Sequence, residues 1–315
     1  MNSYTSVKSD RAYMLFVSIV IPVFNDAKRL KLCLNALENQ TYPKHLYEVI
    51  VVDNGSNKEQ NISGLVTQFE QVRITDESSP GSYAARNKGI SIAKGEIVAF
   101  TDADCIPTIN WIENGVKNLL HTPNCGLVAG KIDIFFKDPN HLSVVELYES
   151  IMALPQMEFL KKHNYGATAN VFTLKSVIDK VGFFDANLKS SGDVEWGQRV
   201  AAYGYGQIYA EDTCVAHPAR HSFQDLYKKT VRYAGGSYDL QIKRSKSAWE
   251  RNKKFIISVI QDLIPPLIFT CNVFLDSRLK NFRQKSQVSL VMFFIRYISV
   301  WEKMRLKFGG YSTRE

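Results

Sequence analysis

The chain has 315 residues, 45% of them apolar and 12% aromatic, which supplies a large core and excludes a mainly disordered protein. Its net charge of +8 is uneven: from Arg220 onward 19 Lys and Arg face 7 Asp and Glu, while residues 1–219 hold 20 against 24. Because the aromatics of this basic tail lie inside apolar runs, a membrane surface suits it better than nucleic acid.

In chain order, the opening MNSYTSVKSDRAYMLF lacks the positive-then-apolar pattern of a secretory signal, which predicts a cytoplasmic protein. Five scattered cysteines (33, 105, 125, 214 and 271), without a CxxC pair, agree with reduced thiols rather than a disulfide frame or a zinc site. VSIVIPV (17–23) reads as a buried strand, LKLCLNAL (30–37) as a helix and YEVIVVDNGS (47–56) as the next strand. The alternation continues through a helix near 58–69, a strand at 71–75, a helix at 82–94 and a strand at 96–101. Strands apolar on both faces and separated by helices predict a mainly parallel central sheet flanked by helices, an α/β fold. Ligands of such sheets bind at the strands' carboxyl ends, and three polar clusters lie there: FND (24–26), DNGS (53–56) and DAD (102–104). In an extended segment Asp102 and Asp104 point to the same side, so both can converge on one cation, Mg²⁺ or Mn²⁺ holding a diphosphate.

Beyond the aspartates the order is less regular, with helices at 109–120, 141–159 and 191–203 and strands at 126–136 and 167–174. GATANVFTL (166–174) places small residues at a turn entering a strand, a composition that permits close approach by a ligand. In the tail, FIISVIQDLIPPLIFTCNVFL (255–275) carries Asp262 and a proline pair, and SLVMFFIRYISVW (289–301) is short and contains Arg296. Neither suits a spanning helix, and both are predicted to lie in a membrane interface with their basic neighbours toward anionic headgroups.

VSIVIPVFND, VIVVDNGS, GSYAARNKGISIAKGEIVAFTDADC and SSGDVEWGQRV, in that order, resemble the motif series of the family 2 inverting glycosyltransferases, over roughly residues 17–220. The resemblance implies a GT-A fold, with residues 1–220 as the catalytic domain and 221–315 as a helical, membrane-associating extension. It implies a nucleotide-diphospho-sugar donor, most often a UDP-sugar, with Mn²⁺ or Mg²⁺ as cofactor. The acceptor would be a hydroxyl of a glycan or lipid-linked glycan in cell-surface polysaccharide assembly at the inner membrane face. Pro22, Phe24, Asn25 and Asp53 would hold the nucleoside. Arg86 would face the nucleotide or sugar, Asp102 the ribose or metal, and Asp104 the metal, with His217 a further metal or diphosphate contact. Asn170 is the candidate polar contact to the donor sugar. The family's usual Glu-Asp pair is Gly192-Asp193 here, so Asp193 inherits the role of general base; it also stands where a carboxylate caps a helix. The processive signature is absent around Arg232-Tyr233, which favours single additions. Two other readings share the fold, a nucleotidyltransferase and a non-catalytic nucleotide-sugar-binding module; PVFNDAKRL lacks the glycines that a triphosphate loop needs.

Overall fold

The computed structural model describes residues 14–314, in two compact units. The first comprises the described residues up to Asp133, with Leu154–Ala186 and Gly192–His217; the second comprises Ile134–Ala153, Asn187–Ser191 and the chain from Pro218. Most of the opening stretch read for a secretory signal lies outside the described residues.

Strands β1 (Val17–Val23), β2 (Tyr47–Asp53), β3 (Val72–Asp76), β4 (Ile97–Thr101), β5 (Ile106–Pro107), β6 (Cys125–Phe135), β7 (Asn170–Leu174) and β8 (Gly206–Pro218) form one sheet, ordered β3-β2-β1-β4-β7-β6-β8-β5. Parallel pairing runs from β3 through β2 and β1 to β4. Beyond β4 the pairs β4–β7, β7–β6 and β8–β5 are antiparallel. The sheet is therefore mixed, parallel in the half assembled from the alternating strand–helix pattern. Six of the seven residues of β1 are buried, as a strand covered on both faces requires.

Helix α1 (Ala27–Glu38) buries Leu30, Cys33, Leu34 and Leu37, one stripe at helical spacing. The helix expected near 58–69 shortens to α2 (Ile62–Val66), because Asn61 turns left-handed at φ 43° and accepts a hydrogen bond from the Gly64 N–H to start it. Helix α3 (Ser82–Ile92) packs on β1, and a methyl group at Gly89 would lie 2.4 Å from Val20 Cγ1. Helix α4 (Trp111–His121) agrees with the sequence reading.

The single helix expected at 141–159 is two, α5 (Val144–Met152) and α6 (Gln156–His163). Leu154 is left-handed at φ 48° ahead of Pro155, whose ring bars the preceding residue from a helical conformation. Helix α7 (Lys175–Val181) and strands β5 and β8 were not anticipated, and α8 (Gly192–Ala202) falls where a helix was expected.

The second unit packs α5 with α9 (Phe223–Lys243), α10 (Ala248–Leu263), α11 (Leu267–Leu275) and α12 (Phe282–Lys307). Its apolar centre includes Tyr148, Leu226, Val273, Val288 and Val291. Beside it the Glu149 carboxylate is fully covered and holds Lys229 at 2.8 Å and Arg220 at 3.1 Å. Burial pushes its pKa up, but the two cations outweigh burial and hold it below the usual glutamate value. Among the described residues no single helix is long and apolar enough to cross a membrane; α10 and α11 pass that test only as a pair bent by 40°.

Gly89→Ala is expected to destabilise the first unit by about 1–3 kcal/mol through overpacking against Val20. Val20→Ala in the same chain should recover part of that loss, as thermal melting of the single and double variants will measure.

Candidate active site

The parallel register sets the site's floor. Val23 lies opposite Asp53, and Val20 opposite Phe100, so β1, β2 and β4 end together and their following loops share one lip. The Asp53 carboxylate accepts the Ser56 N–H at 2.9 Å, which closes the turn after β2. Asn25, left-handed at φ 52°, donates its N–H to Ser56 Oγ and accepts the Asn57 N–H on its side chain, so it locks the loop after β1 to the loop after β2. Pro22, next to last in β1, is partly exposed, and the ring of Phe24 is half exposed at this lip.

After β4 the chain turns instead of staying extended: the Cys105 N–H donates to the Asp102 carbonyl at 3.1 Å. The same-side argument for the two aspartates therefore fails, and their carboxylates take different partners. Asp102 accepts from Arg86 Nη2 at 2.5 Å, and Arg86 is almost wholly buried, with its Nε lacking a hydrogen-bond partner. Asp104 lies 3.8 Å from His217 Nε2 and 3.5 Å from Arg29, which also pairs with Asp26 at 2.6 Å.

Antiparallel pairing of β5 with β8, Ile106 opposite Ala216, brings His217 beside Cys105. Asp104, Cys105 and His217 consequently offer ligand atoms all within 4.8 Å of one another, a group that does not include Asp102. Burial, then the neighbouring charges of Asp102 and Asp104, pushes the Cys105 thiol up. Burial also raises the Asp104 carboxyl, with His217 pulling it back down. The Asp104 oxygen and the His217 imidazole nitrogen make a mixed donor pair, which fits Mn²⁺ better than the all-oxygen preference of Mg²⁺.

Asp193 lies in the first turn of α8. It stands inside the helix and not at its cap; its Oδ1 accepts the N–H of the next residue, Val194, at 3.0 Å, and also the Tyr83 hydroxyl at 3.3 Å. Burial raises its pKa above the ordinary aspartate value, against the opposing pull of the Val194 N–H and Arg86. Tyr83, Arg86 and Asn87 occupy one face of α3. Arg86 reaches Asp102 and lies 5.8 Å from the Tyr83 ring centre, while the Asn87 amide exchanges two hydrogen bonds with the Phe184 backbone.

The glycosyl transferase family 2 model matches residues 18–182. A glycosyltransferase named AglE, from Haloferax volcanii, is 41% identical over 227 residues, 70% of this chain and 72% of that protein. The chain belongs to glycosyltransferase family 2. A dolichyl N-acetyl-α-D-glucosaminyl phosphate 3-β-D-2,3-diacetamido-2,3-dideoxy-β-D-glucuronosyltransferase from Methanococcus voltae is 22% identical over 244 residues, 73% of this chain and 75% of that protein. The mannosyltransferase PcManGT from Pyrobaculum calidifontis, solved with GDP-Man and Mn²⁺, superposes with a TM-score of 0.60 at 16% identity, over 92% of this chain and 86% of that one. That likeness supports the GT-A fold.

In this family 2 glycosyltransferase one sequence-predicted contact is corrected. Asn170, expected to touch the donor sugar, is fully buried; its amide donates to the Lys131 and Thr213 carbonyls and accepts the Trp111 indole N–H at 2.8 Å. It knits β7 to β6, β8 and α4, with no side-chain atom left to face a ligand. Sequence reasoning missed Tyr83, Cys105 and Arg29. Tyr83 had one available signal, its spacing of three and four residues from Arg86 and Asn87; Cys105 read as a plain core thiol. Asn54, at a position where a second aspartate is frequent, binds the Glu77 and Ser79 carbonyls and the Gly81 N–H, so it shapes the loop entering α3.

Asn170→Ala should cost about 2–4 kcal/mol in urea unfolding, because it strands a buried indole N–H and two buried carbonyls. Affinity for the intact nucleotide sugar per folded molecule should stay unchanged, which a contact to the donor sugar would not allow.

Proposed function

We propose that the protein is a metal-dependent inverting glycosyltransferase that moves a sugar from a nucleotide diphosphate, a UDP-sugar, to a hydroxyl of a lipid-linked glycan in cell-surface polysaccharide assembly. The observation that carries this reading is a continuous chain of contacts, Asp193–Tyr83–Arg86–Asp102, ending at the strand lip where Asp53 and the Asp104–His217 pair also lie. A proton acceptor, a cation and a metal-type donor pair thus sit within one unit of the fold.

In this reading Phe24, Pro22, Asn25 and Asp53 receive the nucleoside, Phe24 by stacking and Asp53 by accepting from the base. Asp104 and His217 hold Mn²⁺, which when bound takes up charge developing on the diphosphate. Asp102 is held by Arg86 and faces the ribose. Asp193 accepts the acceptor hydroxyl's proton as that oxygen forms its bond to the anomeric carbon. The bond from that carbon to the diphosphate oxygen breaks with its electron pair leaving on the diphosphate, and a single displacement of this kind inverts the centre. The solved relative's GDP-Man and Mn²⁺ support a nucleotide sugar and a divalent metal in general, and the acceptor in the Methanococcus relative's name supports a lipid carrier.

The second unit supplies a surface for that carrier. On α10, Trp249, Ile256, Ile260 and Leu263 are exposed at helical spacing, with Lys253 Nζ 5.1 Å over the Trp249 ring, and on α12 Leu290, Phe293, Tyr297 and Trp301 form a second exposed stripe. Residues 243–254 carry six Lys and Arg against Glu250 alone. Each basic residue near an anionic bilayer contributes about 1 kcal/mol, so this end of the unit favours the inner membrane face.

Three measurements test these readings. In a thermal-shift panel, UDP is expected to raise the melting temperature with Mn²⁺ present, more than GDP, CDP or ADP, and Asp104→Asn should remove the metal-dependent part. Asp193→Asn should keep that binding while abolishing turnover; in the unaltered protein kcat should fall with acid at a pH above the ordinary aspartate range, following the raised pKa of Asp193. Loss of nucleotide binding in Asp193→Asn, or full turnover, would overturn the assignment. In sedimentation with phosphatidylcholine vesicles, binding should require added phosphatidylglycerol, weaken with salt and fall in the Ile256→Gln/Ile260→Gln variant.

A further inference from the structure

We propose that Tyr83 is a positioning residue for the Asp193 carboxylate, and that Gly192 is a glycine because the Tyr83 ring occupies the space its side chain would fill. The proposal rests on Asp193 being the proton acceptor and adds what orients it. A Cβ built on Gly192 would lie 2.7 Å from Tyr83 Cε2 and 2.8 Å from Cδ2 and Cζ, distances no side chain tolerates unless the ring moves.

The ring is not free to move. Phe184 stacks on it with centroids 5.8 Å apart, the Arg86 guanidinium carbon lies 5.8 Å from its centre, and Phe184 is itself packed against Phe100 of β4 at 5.4 Å and Trp196 of α8 at 5.1 Å. The Asn87 amide pins the Phe184 backbone from the same face of α3. The ring is a rigid spacer between α3 and the first turn of α8, and its hydroxyl ends 3.3 Å from Asp193 Oδ1.

The chemistry suits the position. Burial, reinforced by the Asp193 charge, holds the phenol well above its ordinary range, so it stays protonated and donates. Asp193 Oδ1 already accepts the Val194 N–H, and with the tyrosine it is engaged twice. Two donors on one oxygen fix the carboxylate plane, and the proton from the acceptor hydroxyl arrives on Oδ2. A glutamate at 192, the acidic residue of the usual family pair, would displace the ring that provides this fixation. Gly192 and Tyr83 together do the positioning.

The test uses full-length protein with Mn²⁺ and follows nucleoside diphosphate released from UDP-glucose, UDP-N-acetylglucosamine or GDP-mannose. Tyr83→Phe keeps the ring in the Gly192 space and removes the hydroxyl, which donates to Asp193 Oδ1 and also accepts from the Gly192 and Asp193 N–H groups. The expected result is an unchanged melting temperature and donor KM, with kcat lowered about tenfold, the worth of one hydrogen bond to a charged group. Gly192→Ala should lower kcat similarly by displacing the ring, and in the double variant the two losses should not multiply. Tyr83→Phe with kcat unchanged while Asp193→Asn is inactive would overturn the proposal and leave the base intact. A Tyr83→Phe loss that tracks a lower melting temperature or a higher KM would reduce Tyr83 to a packing residue. Turnover surviving in Asp193→Asn would instead fail the reading beneath it.

Discussion

A helix carrying several site residues on one face needs a close and fixed seat on the sheet, and here that seat is the contact of Gly89 with Val20. Without a side chain at 89, α3 settles on β1 closely enough for residues of its first two turns to reach three separate partners. Tyr83 reaches α8, Arg86 reaches the loop after β4, and Asn87 holds the segment after α7. Those three loops are distant in sequence. Their common support is one short helix, so errors in its seating are transmitted to Asp193 and to the strand lip together.

The parallel half of the sheet was legible because each of its strands is a continuous apolar run ending in polar residues, which places the lip without any side-chain detail. The antiparallel half was hidden by chemistry. In β8, Thr213, Val215 and His217 point inward in strict alternation, but two of the three are polar, so the pattern does not register as hydrophobic. Without β8 there is no β5–β8 pairing, and His217 could be linked to Asp104 only through family resemblance. Asn170 misled for the opposite reason: a polar residue beside small ones suggests a ligand contact, whereas its amide satisfies strand ends and an indole in the interior. The turn after β4 was equally invisible to an argument that assumes an extended chain.

The tail shows how a charge can be misread as a defect. Asp262 and Arg296 interrupt apolar runs and argue against spanning helices, which holds, but both are structural. Asp262 pairs with Lys303 at 2.6 Å and accepts the Ser299 hydroxyl, and Arg296 donates to the Gln261 and Ile264 carbonyls at the end of α10. Each charge meets its partner within the second unit. The opposite faces of the same helices are left apolar and exposed.

The fit between Tyr83 and Gly192 also constrains the order in which this site could have changed. A side chain added at 192 collides with the ring, and a ring added at 83 collides with any side chain at 192, so the ring fits only where 192 is already glycine. The passable route goes through a small residue at one position first, with catalysis resting for that interval on an unbraced aspartate. Chains of this family should therefore divide into two sets at this pair of positions, large at 83 with glycine at 192 or small at 83 with an acid at 192, with few mixtures between.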